Sequence, residues 1–393
     1  MKQLRTYRHR SASGFTLVEL MVALAIFGIL MTMVFSSFIP VLQTNTKESR
    51  ISETKLETGI GLDLLRSDLE HAGFGLPWNF AGMPNPYNEP SGDTTLDATD
   101  DATTNAPPRA LSSVDATAYG MNNGSDYLVV KAMNVTSGTT SQKWGWLWRN
   151  GTHTFPSATI QSMGAEPFNA TDRVIVINPR DDRQLVVDGA ALNNFFATTT
   201  PAALDNFAPA ETGFDPDGER YLLYGLNDTA SAQRPFNRTD YYINNANVPA
   251  HCAPGTGVLT KWTLNQADNN FAALPIVDCV ADFQVVYYLD TSTPLDGGWD
   301  TRANANGLAG MNAEEVRQRV KSVRCYILTH QGGVDRNYIH PTQNINVGEV
   351  AADGVTLQAN AGRVFNLNAN IGATWANYRW QVYSLAVTPR NLQ

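Results

Sequence analysis

Cysteine, histidine and charge are all scarce in this chain. Three cysteines in 393 residues exclude a disulfide-stapled scaffold. The six histidines form no H-E-x-x-H pair, and G-x-S-x-G, G-x-x-x-x-G-K-[ST] and G-x-G-x-x-G are missing too. With no zinc-hydrolase, nucleophile-elbow, phosphate-cradling or dinucleotide signature, neither an enzyme nor a cofactor is expected. Charged residues make up only 17%, and 37 acids against 28 bases give a net charge of −9. So acidic a chain is unsuited to nucleic acid, whose binding rests on Lys and Arg neutralising phosphates. Hydrophobic residues at 43% and aromatics at 10% can fill a core, which excludes wholesale disorder.

What is present begins at the N-terminus. Residues 1–14, MKQLRTYRHRSASG, are basic, contain no acid and end in small residues. Phe15–Ile39 follows, an apolar run in which Glu19 is the sole ionisable residue. A helix rises about 1.5 Å per residue, so this run can span a hydrocarbon core of about 30 Å. In a secretory signal the small-residue cleavage site follows the apolar region, whereas here it precedes it. The cationic flank assigns the N-terminal side to the cytoplasm and the remaining chain to the far side. A carboxylate in hydrocarbon costs several kcal/mol unless paired. A cut after Gly14 would create a cationic amine at Phe15, and Glu19 of one copy could pair with the amine of another.

Gly14 followed by Phe15-Thr16-Leu17-Val18-Glu19 and a long apolar helix resembles the class III signal of type IV pilins and type II secretion pseudopilins. The resemblance implies cleavage between Gly14 and Phe15 by a prepilin peptidase, N-methylation of Phe15, and subunit docking through Phe15 and Glu19. Gly28 matches the helix-weakening glycine of many pilins, while their usual proline is displaced to Pro40. The segment DLEHAGFG, Asp68–Gly75, is similar to the sequence that ends the long helix in PilW-like minor pilins, with Glu70 in place of their Arg. The order YY (Tyr241-Tyr242), GTGVLTKWTL, PIVDCVADFQVVYYLD, VRCYILT and YRWQVYSLAVTPRN resembles the C-terminal body of the same proteins.

Leu56, Ile60, Leu64, Leu65 and Leu69 recur every four or five residues, which predicts one helix from Phe15 to about Ala72, bent at Pro40 and about 85 Å long. Gly73, Gly75 and Pro77 stop it. Ser91–Pro108, rich in Thr, Asp and Pro, reads as a solvated loop. Strand signals cover residues 126–133, 143–148, 172–178, 183–187, 220–225, 240–244, 258–264, 279–290, 320–330 and 378–388. Asn312 with Glu315 three residues on reads as a capping box opening a short helix. The expected architecture is α+β: a long, partly transmembrane helix packed on a largely antiparallel β body with a large insertion. Its segments are a leader (1–14), a membrane or filament-core helix (15–39), an amphipathic continuation (40–75), a loop- and strand-rich insertion (76–239) and a β-rich pilin body (240–393).

Other candidates are weaker. Asp215, Asp217 and Glu219 alternate around an Asp-Gly turn like the opening of a calcium loop, but the twelfth position is Leu226 where a bidentate Glu is required, so a surface turn is favoured and no metal is assigned. The acidic run Asp97–Asp101 is a weaker metal candidate still. Cys252 and Cys279 bracket two strands in a segment expected outside the inner membrane, where a bridge closing about 28 residues would contribute about 3 kcal/mol; free thiols are the alternative. Cys325 reads as a small buried hydrophobe. Trp144, Trp146 and Trp148 share one strand face, either packed in a core or exposed to a partner subunit, glycan or surface.

The resulting expectation is a PilW-like minor pilin of a type IV pilus. It would insert in the bacterial inner membrane through residues 15–39 with its body periplasmic, then enter the pilus at the cell surface, at or near the tip. There it would prime assembly in an initiation complex with other minor pilins. Its partners would be other minor pilins, the major pilin, the prepilin peptidase and the inner-membrane assembly platform. A J-type minor pseudopilin of a type II secretion system, a pilus-tip adhesin using residues 76–239, and an anchored periplasmic enzyme are the rivals.

Overall fold

The computed structural model describes residues 14–80, 89, 101, 106–115, 124–149, 158–164, 166–188, 195–209, 219–228, 232–268 and 270–392. These form a long apolar helix followed by an antiparallel β-rich body, an α+β architecture. Helix α1 spans Leu17–Glu70 and continues through Pro40. The chain divides into two units, residues 1–53 and residues 54–393. Among the described residues the first unit is helical from Leu17 onward.

Among the described residues the second unit carries sixteen strands and three short α-helices. In chain order these are β1 (Leu111–Asp115), β2 (Asp126–Ala132), β3 (Trp144–Arg149), β4 (Ala158–Ser162), β5 (Arg173–Asn178), β6 (Gln184–Val186) and β7 (Ala197–Thr198). Next come α2 (Pro201–Leu204), β8 (Tyr221–Asn227), β9 (Asn237–Asn244), β10 (Gly257–Leu264), β11 (Phe271–Leu289), β12 (Thr301–Ala303) and α3 (Ala313–Arg319). The chain ends with β13 (Val320–Gln331), β14 (Asn344–Val350), β15 (Leu357–Asn366), α4 (Leu367–Ile371) and β16 (Arg379–Val387).

One sheet runs β1-β2-β9-β10-β11-β13-β16, with β12 added beside β11. A second runs β4-β3-β8-β5-β6, with β7 beside β5, and β14-β15 form a hairpin. The segment 76–239 thus supplies strands to both sheets, because β1 and β2 extend the sheet of the C-terminal body.

Period-two alternation fixes which side chains meet. On β5, Ile175 and Ile177 join a core with Leu65 and Leu69 of α1, while Val174 and Val176 face a separate cluster with Leu204 and Phe207. On β11, Val285 and Tyr287 face the first core; Val286 and Tyr288 face Val347, Ala361 and Phe365 of the β14-β15 hairpin. That hairpin was not expected. Its sequence is dominated by Asn, Gly and Ala, and few inward apolar positions betray it. β11 is also longer than its strand signal, beginning eight residues earlier at Phe271.

The buried face of α1 differs from the leucine pattern. Thr54, Thr58, Leu65, Asp68 and Leu69 are buried, as is Ala72 just past its end, while Leu56 and Ile60 are 68% and 73% exposed. Tertiary approach overrides the apolar spacing here: a Cβ on Gly61 would stand 2.2 Å from the carbonyl oxygen of Ile276, so glycine lets β11 pass close to the helix. The helix stops where Gly73, at φ +84°, donates its N–H to the carbonyl of Lys131 at 3.0 Å. Arg390 closes on the same end, its side chain 2.8 Å from the carboxylate of Glu70. The expected capping box is present at α3, with Asn312 and Glu315 each accepting from the other's backbone N–H.

The expectation of a solvated segment before β1 needs correction at its described residues. Asp101 is buried and pairs with Lys131 at 2.6 Å and Arg109 at 2.7 Å. Glu89 joins it, 2.6 Å from Lys131 and 2.8 Å from Arg238. Lys131 and Arg238 are wholly buried, so their charges need these carboxylates. Burial alone would raise Glu89, but Lys131 and Arg238 outweigh it and hold the carboxyl at about 2. Composition marks this segment as polar; only the fold reveals that its Asp101, together with Glu89 just ahead of it, neutralises buried cations.

Candidate functional site

The N-terminal helix carries the chemistry most at odds with water. From Phe15 to Leu42 its large apolar side chains point outward on all sides, from 87% exposure at Phe15 to 40% at Met31. α1 is the only helix among the described residues long and apolar enough to cross a membrane. Burying one such side chain contributes about 1.5–3 kcal/mol. A helix apolar on every face belongs in lipid or among other helices.

Glu19 is held by a local device. Its carboxylate Oε2 accepts from the backbone N–H and the hydroxyl of Thr16, both at 3.0 Å. In return the Glu19 N–H donates to Thr16 Oγ1 at 3.3 Å. This is a reciprocal capping box at the start of α1. Sequence reading singled out Glu19 for its charge and overlooked Thr16, although T-x-x-E before an apolar run is the signal for this arrangement. Both bonds fall on Oε2, which leaves Oε1 able to accept from an outside cation. Gly14 and Phe15 lie just ahead, both exposed.

The remaining candidates lie in the second unit. Cys252 and Cys279 are joined, S–S 2.01 Å and Cα–Cα 4.9 Å. His251 lies beside them, with its ring nitrogen and the two sulfurs within 4.8 Å of one another, but sulfurs committed to a disulfide offer no thiolate to a metal. Cys325 is free and fully buried, and burial pushes its thiol far above the ordinary range. Trp144, Trp146 and Trp148 are half-buried. Trp144 and Trp146 pack against the first core, and Arg220 lies over Trp148 at 5.7 Å. Glu219 is half-buried; Asp215 and Asp217 lie outside the described residues.

A polar cluster escaped the sequence altogether. Asp68 of α1 stands 2.5 Å from Lys261 Nζ on β10 and accepts from the Tyr241 hydroxyl on β9 at 2.5 Å. Burial raises its carboxyl above the usual range, opposed by Lys261. These three residues lie far apart in the chain, so no local spacing could reveal them.

Residues 9–35 match the prokaryotic N-terminal methylation motif. Neither a curated protein nor a solved structure matches the chain. The matched segment covers Gly14, Phe15, Thr16 and Glu19, the residues just described. It is a type IV pilin-like prepilin signal, which implies processing by a prepilin peptidase, anchoring in a membrane and assembly with other pilins. That motif and the apolar helix behind it support a type IV pilin-like or pseudopilin protein and suggest a structural role.

Proposed function

We propose that this chain is a PilW-like minor pilin of a type IV pilus. It inserts in the bacterial inner membrane with its body in the periplasm, is cut between Gly14 and Phe15 and methylated at Phe15, then joins other minor pilins in a complex that primes extraction of the major pilin. The carrying observation is the segment Phe15–Ile39, apolar on all faces, whose one carboxylate, Glu19, keeps Oε1 uncommitted four residues from the new amine. Lipid satisfies that helix before assembly, and neighbouring helices satisfy it afterwards. A subunit approaching 393 residues is bulky for a shaft repeated many times, which favours the tip. No cofactor is involved.

The test is a deletion strain scored for surface pili and complemented with Gly14→Ala or Glu19→Ala. Gly14→Ala should leave the leader uncut, and Glu19→Ala should be cut but poorly incorporated. Normal piliation with both variants would refute the reading, as would a native product that retains Met1 and has no methylated phenylalanine.

A further inference from the structure

A cavity of about 730 Å³ opens between the end of α1, the residues that follow β2, and β10–β11. Leu64, Leu226, Leu264 and Leu274 give it apolar walls. Its polar points are unevenly spent. Lys261 on the floor is committed to Asp68, and Asp68 uses Oδ2 for both Lys261 and Tyr241, leaving Oδ1 over. Asn134 lines the same space, and its Oδ1 has no hydrogen-bond partner. Asp228 at the exposed mouth has no ion pair among the described residues. Three acceptors therefore stand unused, and the two carboxylates of Asp68 and Asp228 outnumber the one ammonium of Lys261.

Long apolar walls with carboxylate and amide acceptors suit a side chain that is hydrocarbon along its stem and cationic at its tip. We propose that this cavity receives a lysine or arginine side chain from a basic segment of a partner protein. The net charge of −9 favours approach of such a partner over an acidic one. The inference holds whether or not the chain enters a filament.

The test uses the full chain in a non-ionic detergent and saturation-transfer NMR. The probes are the Nα-acetyl methylamides of lysine, arginine, norleucine and glutamate. Lysine and arginine should bind about fivefold more tightly than norleucine, the size expected for one partly exposed charge pair, and glutamate should not bind. Asp228→Asn should bring lysine to within about twofold of norleucine. Ala273→Trp, at an exposed position on the rim, should abolish binding without moving the thermal midpoint. Equal binding of lysine and norleucine, preference for glutamate, or binding that survives Ala273→Trp would each overturn the proposal.

Discussion

The two units answer the same question, what to do with apolar side chains, in opposite ways. From Leu17 to Leu42 the described chain is a helix whose leucines, isoleucines and phenylalanines are exposed. From Thr54 onward α1 has a buried face of Thr54, Thr58, Gly61, Leu65, Asp68 and Leu69, in which two threonines, a glycine and an aspartate point inward while Leu56 and Ile60 point outward. Hydrophobicity alone therefore does not decide what is inside. The first unit leaves its burial to other molecules, whereas the second fits small and polar residues wherever a strand or a tyrosine must come close.

That contrast can be broken most sharply at Lys131. Lys131→Met strips Glu89 and Asp101 of a buried cation and should lower stability by about 3–5 kcal/mol, whereas Leu30→Ala in the first unit should change it by less than about 0.5 kcal/mol. Urea unfolding followed by tryptophan fluorescence reads the body alone, since all eight tryptophans lie beyond Glu53. A loss of similar size in both variants would erase the distinction.

The glycines of α1 give a smaller effect. Gly61→Ala drives a Cβ into the Ile276 carbonyl and should cost about 1–3 kcal/mol. Gly28→Ala, with nothing within 4 Å of the added atom, should leave the body's unfolding midpoint where it was. If Gly61→Ala is also neutral, the close approach of β11 is not a constraint.

Smallest of all, Thr16→Ala removes the cap beside Glu19 at a cost of about 1 kcal/mol. Amide hydrogen exchange at Glu19 should quicken about fivefold while tryptophan fluorescence stays unchanged. Unaltered exchange would mean that the Thr16–Glu19 bonds do not hold the helix start.

The legible parts of this molecule are those in which sequence neighbours do the work. The apolar run, the Asn312–Glu315 box and strands such as β2, β5 and β13 carry their period within a few residues. The illegible parts depend on distant partners. Leu56 and Ile60 were misplaced because nothing near them reveals that β11 crosses at Gly61. β14 and β15 lacked a β-rich composition and are held by Val347 and Phe365 against Tyr288 and Tyr326. At the candidate site Gly14, Phe15 and Glu19 were visible as a contiguous motif. Thr16 was equally visible in principle, but the charge of Glu19 drew attention to the membrane rather than to the helix start. The cluster of Asp68, Tyr241 and Lys261 was hidden by sequence separation.

Asp68 has a mechanical consequence. Tyr241 and Lys261 face each other across β9 and β10, two inner strands of the large sheet, and a single carboxylate on α1 grips both. Tension along α1 would therefore be shared between two strands flanked by neighbours on either side. It would not peel an edge strand away, and a tethered subunit could bear load without unravelling from its rim.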